Sequence, residues 1–144
     1  MDPSLIAVLA AGGLVQQVGR ELRNAVEARL APFDITSQQA ALLLNVLRGQ
    51  TGPAQLAVVL GTDTAGTTRL LDRMEAKGLI SRSRHPSDRR AVVIEATEAG
   101  RALAPRIAPV FGQVNRRMLD GVSDEELRAL TGLLERMLGN LRSP

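Results

Sequence analysis

Between Thr64 and Glu95 the sequence changes its period once, and few folds accommodate that change. Up to Lys77 the apolar residues follow helical spacing, with Leu70, Leu71 and Met74 on one side. Asp63 can cap this helix and Gly78 can close it. Past Gly78 two short runs, 79–84 and 91–95, read as strands. Between them His85-Pro86-Ser87-Asp88-Arg89 has turn chemistry. A helix therefore runs directly into a hairpin with a basic tip. From Arg69 to Arg90 there are seven basic residues (Arg69, Arg73, Lys77, Arg82, Arg84, Arg89, Arg90) against three acidic ones (Asp72, Glu75, Asp88). That surplus of four exceeds the +3 of the whole chain, so the rest is close to neutral.

The flanking segments read as helices. Residues 4–31 carry Leu14, Val18, Leu22 and Val26 at intervals of four, with Leu5, Leu9 and Leu30 extending the stripe. Gly12, Gly13 and Gly19 weaken this helix by roughly 1 kcal/mol each and permit close helix approach, or are simply tolerated. Pro32 stops it. Thr36-Ser37-Gln38-Gln39 offers a capping box for a helix running to about Arg48, so apolar from Ala40 to Leu47 that most of its sides must be buried. A short helix from Pro53 to Leu60 ends at Gly61. After the hairpin, a helix from Thr97-Glu98 to about Leu119 contains Pro105 and Pro109, which predict a bend. Ser123-Asp124-Glu125-Glu126 caps a last helix with Leu127, Leu130, Leu134, Met137 and Leu141 on one face.

Composition removes whole classes of function. The chain of 144 residues has no Cys, one His and two aromatic side chains, Phe33 and Phe111. Thiolate catalysis, disulfides and multi-His or thiolate metal sites are excluded, and no cofactor site is expected. An aliphatic core favours helical packing over a β-sandwich. With no Tyr and a lone His85 on a proline-flanked turn, an enzyme is not expected. The apolar run Leu5–Val15 follows Asp2 rather than a basic segment and continues as a helix, so a removable leader is not expected either. No membrane span is expected, and a cytoplasmic location is the default.

The fold class that follows is mainly α with a small β-hairpin wing. It is a winged helix-turn-helix flanked by N- and C-terminal dimerisation helices. Residues 1–144 would form one domain, with a DNA-binding lobe at about 33–100 and dimerisation helices at about 4–31 and 101–142. The terminal apolar faces suit a dimer that reads two half-sites; the alternative is that they complete a monomeric core. At about 100° per residue, Thr67 falls on the buried side of the fourth helix. Ala65, Thr68, Arg69, Asp72 and Ala76 face out, flanked by Thr64 and Arg73. Arg69 can make a bidentate contact to guanine worth about 1–3 kcal/mol of discrimination. Ala65 can meet a thymine methyl, Thr68 can bond a base edge or phosphate, and Thr64 and Arg73 suit backbone contacts. Asp72 would repel phosphate and is expected to orient Arg69 or Arg73. The alternative for this face is a solvated helix surface with local ion pairs.

The residues Leu56-Ala57, Leu60-Gly61, Thr68 through Glu75, Lys77-Gly78-Leu79-Ile80 and Arg82 through Gly100 together resemble the multiple antibiotic resistance regulator (MarR) family of bacterial transcription factors. Asp88 through Gly100 is the strongest part. The order of helices outside this segment fits as well. The resemblance implies a homodimer on a pseudo-palindromic double-stranded DNA operator, usually acting as a repressor. It implies that Arg90 enters the minor groove and that Asp88 braces it. A guanidinium suits the negative potential of a narrow A·T-rich groove. Arg89 and Arg84 would add contacts to the DNA. Two residues depart from the family pattern. Ala96 stands where Leu is usual, and Gly66 stands in the reading helix where Thr is usual, which leaves the operator sequence open.

The resemblance further implies a small effector, often aromatic or anionic, bound between the dimerisation helices and the DNA-reading lobe. The candidate lining is Gln16, Gln17, Arg20, Gln38, Gln39, Arg106 and Phe111. The alternative is that these are polar groups at the surface and at helix ends. A rival for the whole chain is a protein-interaction module that kept the winged fold and lost DNA binding.

Overall fold

The computed structural model describes all residues from Met1 to Pro144. Helix α1 spans Pro3–Leu30, 28 residues, or about 42 Å at 1.5 Å per residue. Asp2 caps it by accepting the Ser4 N–H at 3.0 Å, and Pro3 supplies a preset φ at the first position. Only the C-terminal part of α1 is covered. Val26 and Leu30 are buried, whereas every residue before Leu22 is exposed. A single 3-10 turn, Ala31–Phe33, follows and ends at Asp34 in the left-handed region (φ 52°).

Helix α2 spans Ser37–Leu47 and carries the capping box foreseen from the sequence. The Thr36 hydroxyl accepts the Gln39 N–H at 3.1 Å, and Gln39 Oε1 accepts the Thr36 N–H at 3.2 Å. Ala40, Leu42, Leu43 and Val46 are buried because α1, α3, α5 and the hairpin all pack around this helix. Helix α3 (Pro53–Leu60) ends at Gly61, whose φ of 63° suits a residue without Cβ. Helix α4 spans Thr64–Ala76 and Gly78 (φ 72°) turns the chain into the wing.

The wing is an antiparallel pair, β1 (Ile80–Arg84) and β2 (Val92–Ala96). Its register sets Ile80 opposite Ala96, Arg82 opposite Ile94 and Arg84 opposite Val92. The strands lie within one residue of the ranges read from the sequence. Ile94 donates its N–H to Thr51 O at 2.8 Å, so the loop before α3 borders the base of the wing.

Helix α5 (Glu98–Met118) starts against that base. Thr97 donates its N–H to Leu79 O at 3.1 Å and its hydroxyl to Gly78 O at 2.6 Å. Gly100 is required there, since a Cβ would lie 2.2 Å from Leu79 O. The helix continues unbroken through Pro105 and Pro109. Both prolines, and Arg101, are exposed, so the carbonyls that lose their usual donors face water. The opposite face buries Ala104, Ile107, Val110 and Val114. Helix α6 (Asp124–Arg142) is exposed along its entire length, including Leu127, Leu130, Leu134 and Met137. No helix is long and apolar enough to cross a membrane.

Candidate nucleic-acid interface

The reading helix α4 is oriented by its N-terminus. Asp63 Oδ1 accepts the Gly66 N–H at 2.6 Å, and the Thr67 hydroxyl donates to Asp63 O at 2.8 Å. Thr67, Leu70, Leu71 and Met74 are buried. The helical angle therefore placed Thr67 inward correctly. Thr64, Ala65, Thr68, Arg69, Asp72, Arg73 and Ala76 are all exposed. Thr68 donates its hydroxyl to Thr64 O at 3.0 Å, which leaves its oxygen free as an acceptor. A Cβ at position 66 would fall 2.2 Å from Thr62 Oγ1 and 3.0 Å from Asp63 Oδ1. The departure at Gly66 thus has a local reason: this N-terminal turn is too tight for a side chain unless Thr62 rotates away.

The wing tip is held by short-range bonds. His85 donates its N–H to Ala91 O at 2.8 Å, and Ala91 donates to Asp88 O at 3.1 Å. Asp88 Oδ1 accepts the backbone N–H of Arg90 at 3.0 Å. The brace expected between the Asp88 carboxylate and the Arg90 side chain is thus a bond to the Arg90 backbone. It shapes the turn and leaves the guanidinium free. Arg84, Arg89 and Arg90 are exposed.

The acids behave differently from the sequence expectation. Asp72 does not orient Arg69 or Arg73. Its Oδ1 accepts from Arg82 Nη2 at 2.6 Å, because β1 lies alongside α4 and brings Arg82 across from outside the helix. Glu75 accepts from the same guanidinium, Oε1 from Nη2 and Oε2 from Nε, each at 3.2 Å. That hydrogen bond holds the Glu75 carboxyl below the ordinary glutamate value of 4.5 and raises the guanidinium. These are the ion pairs of the chain. Arg69, Arg73, Arg84, Arg89 and Arg90 remain as cations without an acidic partner on the reading helix and wing. Sequence reasoning counted Arg82 as one more base. The partner ten residues away could be found only by placing strand against helix.

The seven proposed effector residues do not form one site. Gln38, Gln39 and Phe111 line an open cleft of about 810 Å³ between α1 and α5 on one side and α2 to α4 on the other. Gln39 is buried and committed, since it caps α2 and accepts from Lys77 Nζ at 3.1 Å. Gln17 lines a different groove, of about 490 Å³, between α1 and α5. Gln16 and Arg20 lie on the exposed half of α1 and line neither. Arg106 stacks on Phe33, 5.1 Å from the ring centroid. The sequence pattern missed Arg23, Glu27, Arg73 and Asn115 in the cleft. Glu27 accepts the Ser37 N–H at 2.8 Å and so fastens α1 to α2, a contact that no local signal announces.

A family model described as MarR family matches residues 33–91. Mutant MarR from E. coli complexed with operator DNA is similar over 96% of this chain and 99% of its own, with 27% identity and a TM-score of 0.82. CouR from Rhodococcus jostii bound to p-coumaroyl-CoA is similar over 88% and 90%, with 27% identity and a TM-score of 0.81. The reduced form of MarR from E. coli is similar over 88% and 95%, with 29% identity and a TM-score of 0.72.

Proposed function

We propose that the chain is a member of the MarR family of winged-helix DNA-binding transcription regulators and a sequence-specific repressor acting as a homodimer on a pseudo-palindromic operator. The observation that carries this reading is the distribution of cations. Arg69 and Arg73 on α4 and Arg84, Arg89 and Arg90 on the wing are exposed without an acidic partner, while Asp72 and Glu75 of the same surface are occupied by Arg82 and Asp88 accepts the Arg90 backbone N–H. Helix α4 enters the major groove with Ala65, Thr68 and Arg69 toward base edges. Thr64, Arg73, Arg84 and Arg89 meet the backbone, and Arg90, positioned by the Asp88 turn, enters the flanking minor groove.

In this reading residues at about 33–100 read DNA, and those at about 4–31 and 101–142 pair the subunits. The apolar faces of α1 and α6 support the pairing. Leu5, Leu9, Leu130 and Leu134 are 47%, 58%, 39% and 40% exposed in the single chain. A two-fold dimer covers both faces and sets the reading helices about one DNA turn apart, roughly 34–36 Å.

The test is selection of bound sequences from random DNA. The wild-type chain should select an inverted repeat. Arg69→Ala should relax preference at particular base pairs, and Arg90→Ala should lose the A·T-rich flank. If both variants select as the wild type does, the site assignment is wrong. Enrichment of no sequence at all would favour a protein-interaction module.

A second reading concerns regulation. The 810 Å³ cleft carries Arg23, Arg73 and Phe111, chemistry suited to an anionic aromatic effector, and Arg73 also belongs to the DNA-facing flank of α4. Loss of operator binding on titration with aromatic carboxylates, abolished by Phe111→Ala, supports it. Operator binding indifferent to the whole panel contradicts it.

A further inference from the structure

Two basic residues between Arg69 and Arg90 take no part in the DNA contacts above: Lys77, which donates to Gln39, and Arg82. Arg82 stands on β1 on the same face as Ile80, and that face packs toward α4. Its guanidinium spans two carboxylates one helical turn apart. Nη2 reaches Asp72 Oδ1 at 2.6 Å, and Nε and Nη2 together grip Glu75 at 3.2 Å each. Ile80 is buried, but the strand beyond it is increasingly exposed, and Arg84 makes no bond back to the helix. The outer part of the wing therefore has one polar tie to α4, and Arg82 supplies it.

We infer that Arg82 is a positioning residue that fixes the angle between wing and reading helix, so that major and minor grooves are engaged together. The inference rests on the DNA-reading function proposed above. Three donors in a rigid planar fork hold direction as well as distance, which an ammonium group cannot do. The same contact occupies Asp72, which lies on the face turned toward DNA. The clamp is part-exposed, with side-chain exposures of 30% for Arg82, 57% for Asp72 and 43% for Glu75. Its contribution to overall stability is accordingly small, and its effect falls on the geometry of the two reading parts.

The discriminating variant is Asp72→Asn combined with Glu75→Gln. It removes two negative charges from a DNA-facing surface, so simple electrostatics predicts tighter binding to every duplex. The clamp predicts that affinity for the selected operator falls, by about fivefold for a pair of this exposure, while affinity for random duplex rises. Arg82→Gln should lower operator affinity similarly. Adding the two acid substitutions to it should cost little more, because the three residues act as one unit. Arg82→Lys should restore only part of the loss.

A measurement without DNA separates the clamp from the function it serves. The chain has no cysteine, so Ala76→Cys on α4 and Ser87→Cys on the wing accept a pair of spin labels at defined positions. The clamp predicts a narrow inter-label distance distribution that broadens in Arg82→Gln and in the acid double variant, with helix content unchanged. An unchanged distribution overturns the clamp, even if operator binding weakens. Broadening together with a wild-type chain that prefers no DNA sequence overturns the DNA reading, and with it the role assigned to Arg82, while the mechanical tie stands.

Discussion

Gly100→Ala tests how tightly the wing is mounted on the helical lobe. Gly100 sits in the first turn of α5, where the helix passes over the base of β1. A Cβ there falls 2.2 Å from Leu79 O, 3.2 Å from Leu79 C and 3.1 Å from Leu43 Cδ1. The carbonyl cannot rotate aside, because it accepts the Thr97 N–H at 3.1 Å and continues directly into β1. Relief needs a backbone shift of about 1 Å, and overpacking of this kind costs about 1–3 kcal/mol. The better helix propensity of Ala returns less than about 1 kcal/mol. The net expectation is destabilisation of about 2 kcal/mol, or roughly 4–8 °C in Tm for a chain of this size. Gly112→Ala in the same helix is the control. A Cβ there meets only the Arg116 guanidinium, at 3.6 Å, an ordinary contact, so propensity alone should stabilise by about 0.5–1 kcal/mol. Thermal and urea unfolding at one fixed protein concentration would read both, since a dimer's Tm depends on concentration. If the two substitutions behave alike, or Gly100→Ala is neutral, close approach is not why glycine stands at position 100.

Thr36→Ala removes one half of the capping box at α2 and should cost about 1 kcal/mol in urea unfolding; no loss would mean that Glu27, on the Ser37 N–H, caps the helix unaided. Glu75 should titrate below the ordinary glutamate value by carboxyl NMR, and Arg82→Gln should return it to that value. Because its folded pKa is depressed, the stabilisation is present above 4.5 and is lost as pH falls through the folded value, so the wing tie is intact at neutral pH. Leu130→Asp with Leu134→Asp should shift sedimentation from dimer to monomer and abolish operator binding without loss of helix content; a persistent dimer would place the interface elsewhere.

The fold was largely legible in the sequence because its punctuation is local. The Thr36–Gln39 box, Gly61, Asp63 and Gly78 each mark a boundary through residues within a few positions, and each boundary is observed. The inward turn of Thr67 followed from the helical angle alone. What could not be read were contacts between elements distant in sequence. The sequence suggests a partner for Asp72 on its own helix, whereas its partner, Arg82, stands on a strand. Arg106 was offered to an effector, whereas Phe33 lies beneath it across more than seventy residues. Gln39 was offered likewise, although its oxygen is taken by a local cap and by Lys77 from the end of α4. Polar side chains near a junction resemble a ligand site in sequence whether or not the fold has already used them.

The proposed function has α4 and the wing read DNA sequence through their free guanidinium groups. Equilibrium binding to the selected operator, and to a scrambled duplex of the same composition, across a salt series tests it most directly. Binding to the operator should be tighter at every salt concentration, with affinity falling steeply as salt rises because Arg73, Arg84 and Arg89 of both subunits displace counterions. Arg69→Ala should close much of the gap between the two duplexes while the salt slope changes little. Equal affinity for the two duplexes, or binding indifferent to salt, would contradict it.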